Sequence, residues 1–178
     1  TEIIHVDSAD GRYATVVNLK ENSDVVVTVK KKDHVFDSHS YTLADTARAG
    51  VAKADMTVHK IEVGKSYRVN DIKYATNSTE ITKGSELILD ELITFLNENS
   101  SVKIRIEGHT DNVGGEAENL TLSNDRAGTV MSYLVTKGVS KDRLSFKGLG
   151  QSVPLESNST EAGRAANRRT EFVITSKD

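Results

Sequence analysis

The sequence predicts an α+β fold in which two helices pack on a small mixed sheet, preceded by a partial all-β sandwich segment. Three observations carry this. Apolar residues recur at helical spacing in two long stretches, short alternating stretches stand between and after them, and the first sixty or so residues hold β-branched runs. The character of the chain changes near Gly64, so the expected division is residues 1–65 and residues 66–178. At 178 residues with 37% apolar content, the chain has material for one domain or two small ones.

In the first part, Val25 to Val29 is a β-branched run bounded by Asn22-Ser23-Asp24 and a lysine triplet, and reads as a strand. Tyr13 to Leu19, Val35 to Leu43 and Thr57 to Val63 are further strand candidates. Ala44 to Asp55 reads as a polar, Ala-rich loop. In the second part, Tyr67 to Tyr74 is expected to form a strand with Tyr74 as a core aromatic at its end. Leu87, Ile88, Leu92, Phe95 and Leu96 then mark a helix that stops at Asn97-Glu98-Asn99. Val102, Ile104 and Ile106 alternate with charged residues, as in a strand with one buried face. Leu122, Ala127, Val130, Met131 and Leu134 define a second helix, and Gly138 suits the residue that closes it. Leu144 to Gly148 and Thr170 to Thr175 are the last strands, with residues 149–163 between them expected as a loop.

Composition excludes several classes of function. Lys and Arg number 23 against 26 Asp and Glu, for a net charge of −3. Neither part is basic, with nine against ten in residues 1–65 and fourteen against sixteen beyond, so no nucleic-acid partner is expected. The absence of cysteine removes disulfides, thiolate metal sites and thiol catalysis. No stretch reaches the ~20 apolar residues of a membrane-spanning helix. A chain beginning at Thr1 is expected to be a trimmed part of a longer precursor, with any membrane attachment outside it.

The chemistry is expected in the loop Gly108-His109-Thr110-Asp111-Asn112-Val113-Gly114, which directly follows a core strand. Asp111 and, on the next helix, Arg126 offer one acceptor and one bidentate donor. Such a pair suits a zwitterion, carboxylate to ammonium and guanidinium to carboxylate; it would equally suit a plain ion pair between the two. His109 and Asp111 are two neighbouring ligands where catalytic zinc takes three, so no metal is expected, and His109 reads as a hydrogen-bonded brace of the loop. Ser123 lacks a Gly-x-Ser-x-Gly elbow and an activating histidine. It reads as a first-turn helix residue.

The motifs Gly108-His109-Thr110-Asp111, Asn119, Leu122-Ser123-x-x-Arg126-Ala127 and Gly163-Arg164-x-x-Asn167-Arg168-Arg169 resemble the OmpA-like (OmpA/Pal/MotB-type) peptidoglycan-binding domain. The resemblance covers roughly residues 68–175, with Gly138-Val139 and a Gly148-x-Gly150 turn before Pro154 in matching order. It implies a β-α-β-α-β sandwich that binds, without covalent bond, turnover or cofactor, the diaminopimelate of the peptidoglycan stem peptide. By position it implies that Asp111 takes the ammonium and Arg126 the carboxylate, supported by Thr76, Asn77, Asn119 and Arg169, with Arg164 and Arg168 structural or solvated. It further implies a periplasmic location in a Gram-negative cell, anchoring the outer membrane or a protein complex to the wall. Two positions depart from the pattern: Ala75 stands where many members have aspartate, and Val113 where a hydroxyl residue is frequent. The segment holding Asp10-Gly11-Arg12-Tyr13, Val25 to Val29 and Lys32 to Leu43 resembles the later strands of a carboxypeptidase-regulatory-type β-sandwich. The same features would also suit an interaction module that has lost wall binding, its N-terminal segment recognising a protein or glycan.

Overall fold

The computed structural model describes residues 25–41, 56–69, 72, 74, 79 and 81–178. The expected strand at Tyr13 to Leu19, the loop at Ala44 to Asp55, and Ala75, Thr76 and Asn77 lie outside the described residues.

The second part is built on a four-stranded mixed sheet: β5 (Ser66–Val69), β6 (Lys103–His109), β7 (Leu144–Gly150) and β8 (Thr170–Ser176), in the order β5-β8-β6-β7. β8 runs antiparallel to both β5 and β6, whereas β7 is parallel to β6. A parallel neighbour requires a crossover, and the helix α2 (Glu116–Thr136) supplies it. The other long helix, α1 (Lys83–Glu98), precedes β6, and a short α3 (Glu161–Asn167) leads into β8.

Alternation along the strands separates the two sheet faces. Ile104 and Ile106, Phe172 and Ile174, and Tyr67 and Val69 join Ile88, Leu92, Leu96, Val130 and Leu134 in one apolar cluster. Each such side chain contributes ~1.5–3 kcal/mol by leaving water. Arg105, Glu107 and His109 have the opposite parity. The expected helix stripe needs one change, because Leu87 is 44% exposed while Leu89 and Ile93 are buried. At 100° per residue, Leu87 falls outside the arc running from Ile88 through Leu92 to Leu96.

Helix α2 closes as Gly138 predicts. With φ of +98° at Gly138, its N–H reaches the Val135 carbonyl and the Val139 N–H reaches that of Leu134. This is the paired arrangement that a left-handed C′ residue permits. The end of α1 is served from outside: the Arg143 guanidinium donates to the carbonyls of Leu96, Asn99 and Val102.

In the first part, β1 (Val25–Val29) pairs antiparallel with β3 (Asp37–Tyr41), and β2 (His34–Val35) with β4 (His59–Lys60). The Thr57 to Val63 candidate thus contributes only two strand residues. β1 and β3 lie against α1. The Phe36 ring is 5.9 Å from Phe95, which is itself 6.1 Å from Phe172, and Lys30 pairs with Glu91 at 2.6 Å. Val35 belongs to the same buried cluster as the four-stranded sheet.

Three further expectations change. The strand expected over Tyr67 to Tyr74 ends at Val69, and Tyr74 makes only an isolated bridge to Ile81. Gly148 and Gly150 lie inside β7, where the register shifts as Gly108 pairs with Gly148 but His109 with Gly150. The loop expected at 149–163 gives way to α3 at Glu161, because the Thr160 hydroxyl accepts from the Gly163 N–H and caps a helix there.

Candidate functional site

Helix α2 crosses the sheet closely because two glycines leave room. A Cβ on Gly108 would stand 2.2 Å from the Ser123 carbonyl oxygen, and one on Gly148 would stand 2.4 Å from the Asn124 nitrogen. Ser123 lies in this contact rather than in the first turn of α2. Fully buried, it accepts from the Gly150 N–H at 2.9 Å and donates to the Leu120 carbonyl. The first half of α2, with Asn119 and Arg126, is thereby clamped beside the loop that leaves β6.

That loop is tied from several directions. The Asp111 Oδ1 accepts from the Val113 N–H at 3.0 Å, and the Thr110 N–H reaches the Gly150 carbonyl. The Asn119 amide donates toward the carbonyls of Asp111 and Val113 and toward Gln151 Oε1. Asn119 is buried and in this arrangement holds the loop to α2. Val113 is 65% exposed.

Beside the loop is a cavity of about 430 Å³, whose lining includes Arg68, Tyr74, Arg126, Arg168 and Arg169. Four guanidinium groups around one cavity make a surface that favours carboxylate or phosphate. The Arg126 guanidinium carbon lies 4.6 Å above the centre of the Tyr74 ring, a cation–π contact that orients it. Tyr74 is in turn held by its hydroxyl against the Thr170 hydroxyl at 3.1 Å, and burial raises its pKa. Burial lowers the pKa of Arg126, and Tyr74 and Asp111 partly offset this. As a guanidinium it stays charged.

Asp111 is only 10% exposed at its side chain, and the ion pair on its Oδ2 comes from Arg168, at 2.6 Å. The second nitrogen of Arg168 reaches Glu161 Oε1 at 2.8 Å. Arg168 therefore stands on the cavity and on Asp111 at once, whereas the sequence marks it only as structural or solvated. Arg169 also lines the cavity, but its guanidinium is engaged with Glu171 at 2.7 Å and with the Val153 carbonyl. Asn167, wholly buried, accepts from the N–H groups of Leu155 and Glu156 and donates to Glu156 and Asn158, pinning the loop before α3.

His109 does not brace the loop through its ring. Its backbone N–H meets the Arg169 carbonyl, whereas both ring nitrogens are buried without a hydrogen-bond partner. Burial lowers its pKa, and Arg169 adds to this against the opposing pull of Glu171 and Glu107. The metal-type grouping of Glu107, His109 and Glu171 has its candidate ligand atoms within 4.8 Å of one another. Its carboxylates are already taken up by Arg105, Arg169 and Ser66, so charge is balanced within the protein.

The domain thus has two layers, helices on a mixed sheet, with an arginine-lined cavity at a strand–loop–helix junction, a surface chemically suited to anionic groups. This chain belongs to the OmpA family, whose model matches residues 73–168. The peptidoglycan-binding protein ArfA of Mycobacterium tuberculosis is 37% identical over 103 residues, which cover 58% of this chain and 32% of that protein. The chain thus spans about a third of that relative's length. Among solved structures, a MotB-like protein from Desulfovibrio vulgaris is 29% identical with a TM-score of 0.57, over 64% of this chain and 73% of that one. The peptidoglycan-associated lipoprotein from Burkholderia pseudomallei is 27% identical with a TM-score of 0.54, over 58% of this chain and 87% of that one.

Proposed function

We propose that this protein binds peptidoglycan non-covalently in the periplasm, through the diaminopimelate of the stem peptide, and so ties the outer membrane or an attached complex to the wall. Residues 66–178 act as the wall-binding unit, with residues 1–65 as an appended β-rich segment. The observation that carries this reading is the arginine-lined cavity: Arg126, oriented by Tyr74, lines it, and Arg168, which also lines it, holds the carboxylate of Asp111. Diaminopimelate ends in a carbon bearing both an ammonium and a carboxylate, which matches these two charges. Asp111 takes the ammonium and Arg126 the carboxylate. Thr76, Asn77, Asn119 and Arg169 support the site, Asn119 by shaping the loop.

Such binding needs no turnover. Each charge-assisted hydrogen bond contributes ~1.5–3 kcal/mol net, so one stem is held modestly. Many anchored copies meeting many stems hold firmly through effective concentration. The test is co-sedimentation with purified diaminopimelate-type peptidoglycan. Wild type is expected in the pellet, and Asp111→Ala and Arg126→Ala in the supernatant with unchanged melting temperatures. Equal pelleting of the variants and wild type would refute the site, and cleavage products by mass spectrometry would refute a binding-only role.

A further inference from the structure

We infer that Arg168 determines the specificity of this site, by occupying Asp111 in the unliganded protein and yielding it only to a ligand that offers a carboxylate in exchange. The inference rests on the proposed reading of Asp111 as the ammonium acceptor.

Asp111 has two oxygens and each is engaged. Oδ1 accepts from the Val113 backbone and is part of the loop's own structure. Oδ2 carries a side-chain partner, with Arg168 Nη1 on it at 2.6 Å. A ligand ammonium that approaches Asp111 must therefore displace this guanidinium or settle beside it as a like charge. Displacement has a route, since Arg168 already rests its second nitrogen on Glu161, whose side chain is 66% exposed, and its own side chain is 41% exposed. Arg168 can pivot on Glu161 while keeping one ion pair.

The cost of displacement depends on the ligand. The cavity lining already carries Arg68, Arg126 and Arg169. Releasing Arg168 from Asp111 strips a counter-charge from a cation that faces the same space. A ligand carrying a carboxylate on the carbon that bears the ammonium brings its own anion for that cation. A ligand with an ammonium alone, such as a stem ending its side chain in lysine, adds a positive charge and returns nothing. Arg168 therefore penalises ammonium-only stems more than the mere loss of a contact to Arg126 would. Specificity of this kind comes from a repulsive element built against the wrong ligand.

The experiment titrates the whole chain calorimetrically with two synthetic stem tripeptides, one ending in diaminopimelate and one in lysine. Wild type is expected to prefer the diaminopimelate peptide. In Arg168→Gln, the lysine peptide is expected to bind about tenfold more tightly than it binds wild type, shrinking the preference, while Arg168→Lys restores much of it. An equal melting temperature checks that the exposed substitution spares the fold. If the lysine peptide binds Arg168→Gln no better than wild type, the inference is overturned. Failure of the underlying reading looks different, because then the diaminopimelate peptide binds neither wild type nor Arg168→Gln.

Discussion

Substituting Gly108 by alanine tests the coupling between the packing of α2 and the site it carries. The added Cβ would stand 2.2 Å from the Ser123 carbonyl oxygen and 3.0 Å from its carbon. A carbon approaches a carbonyl oxygen no closer than roughly 3.3 Å even in favourable contacts, so helix and strand must part by about 1 Å. The obstacle is backbone on both sides, and no rotamer relieves it. Overpacking of this kind costs ~1–3 kcal/mol. The reduced freedom of the unfolded chain returns ~0.4–1 kcal/mol. A net loss of about 1 kcal/mol lowers the melting temperature by roughly 2–4 °C for a chain of this size. The same shift moves Arg126, one turn from Ser123, off the Tyr74 ring, so wall binding falls as well. Gly138→Ala is the control. Its φ is +98° with open space around it, so strain there costs ~1–2 kcal/mol without moving the site. Thermal melting followed by circular dichroism, with co-sedimentation alongside, reads both quantities. An unchanged melting temperature for Gly108→Ala would refute the packing argument, and equal loss of binding in Gly138→Ala would refute its link to the site.

Asn167→Ala removes four hydrogen bonds from a wholly buried side chain, with an expected loss of about 2–4 kcal/mol in urea unfolding. Tyr74→Leu takes away the ring beneath Arg126 and is expected to weaken wall binding about two- to tenfold in a pelleting titration. Acid should destabilise the protein in two stages. His109 is held neutral with its pKa below the ordinary 6.5, so the unfolded chain takes up its proton first and stability falls as pH drops below that value. Glu171, where Ser66 and Arg169 outweigh the upward push of burial, is held below 4.5 and adds a second loss as pH falls through its folded value. Urea midpoints across a range of about pH 3.5–7.5 should show the upper stage vanish in His109→Gln; a profile identical to wild type would refute the assignment.

Local pattern made much of this molecule legible. The stripe of Ile88, Leu92 and Leu96, the alternation of Ile104 and Ile106, and the stop at Gly138 are consequences of backbone periodicity, and they appear in the structure as helix, strand and C′ glycine. The order of short motifs indicated the family to which the chain belongs. Local pattern was less informative where an element's start depends on one capping contact, as at Thr160 and α3, or where a strand continues through glycines, as in β7.

The sequence by itself indicated the family and most of the long elements, and it nominated a short set of residues as candidates for a zwitterion site, because periodicity and side-chain chemistry are properties of neighbours along the chain. Only the tertiary structure decided which of those residues meet. Arg168 and Arg169 are adjacent, yet at the entry to β8 one turns to Asp111, fifty-seven residues away, and the other to Glu171 in β8. By position in the motif, the sequence marks Arg169 as supporting the site and Arg168 as structural or solvated. The bond from the His109 N–H to the Arg169 carbonyl holds this entry against the end of β6, and from there Arg168 reaches the loop while Arg169 reaches the sheet.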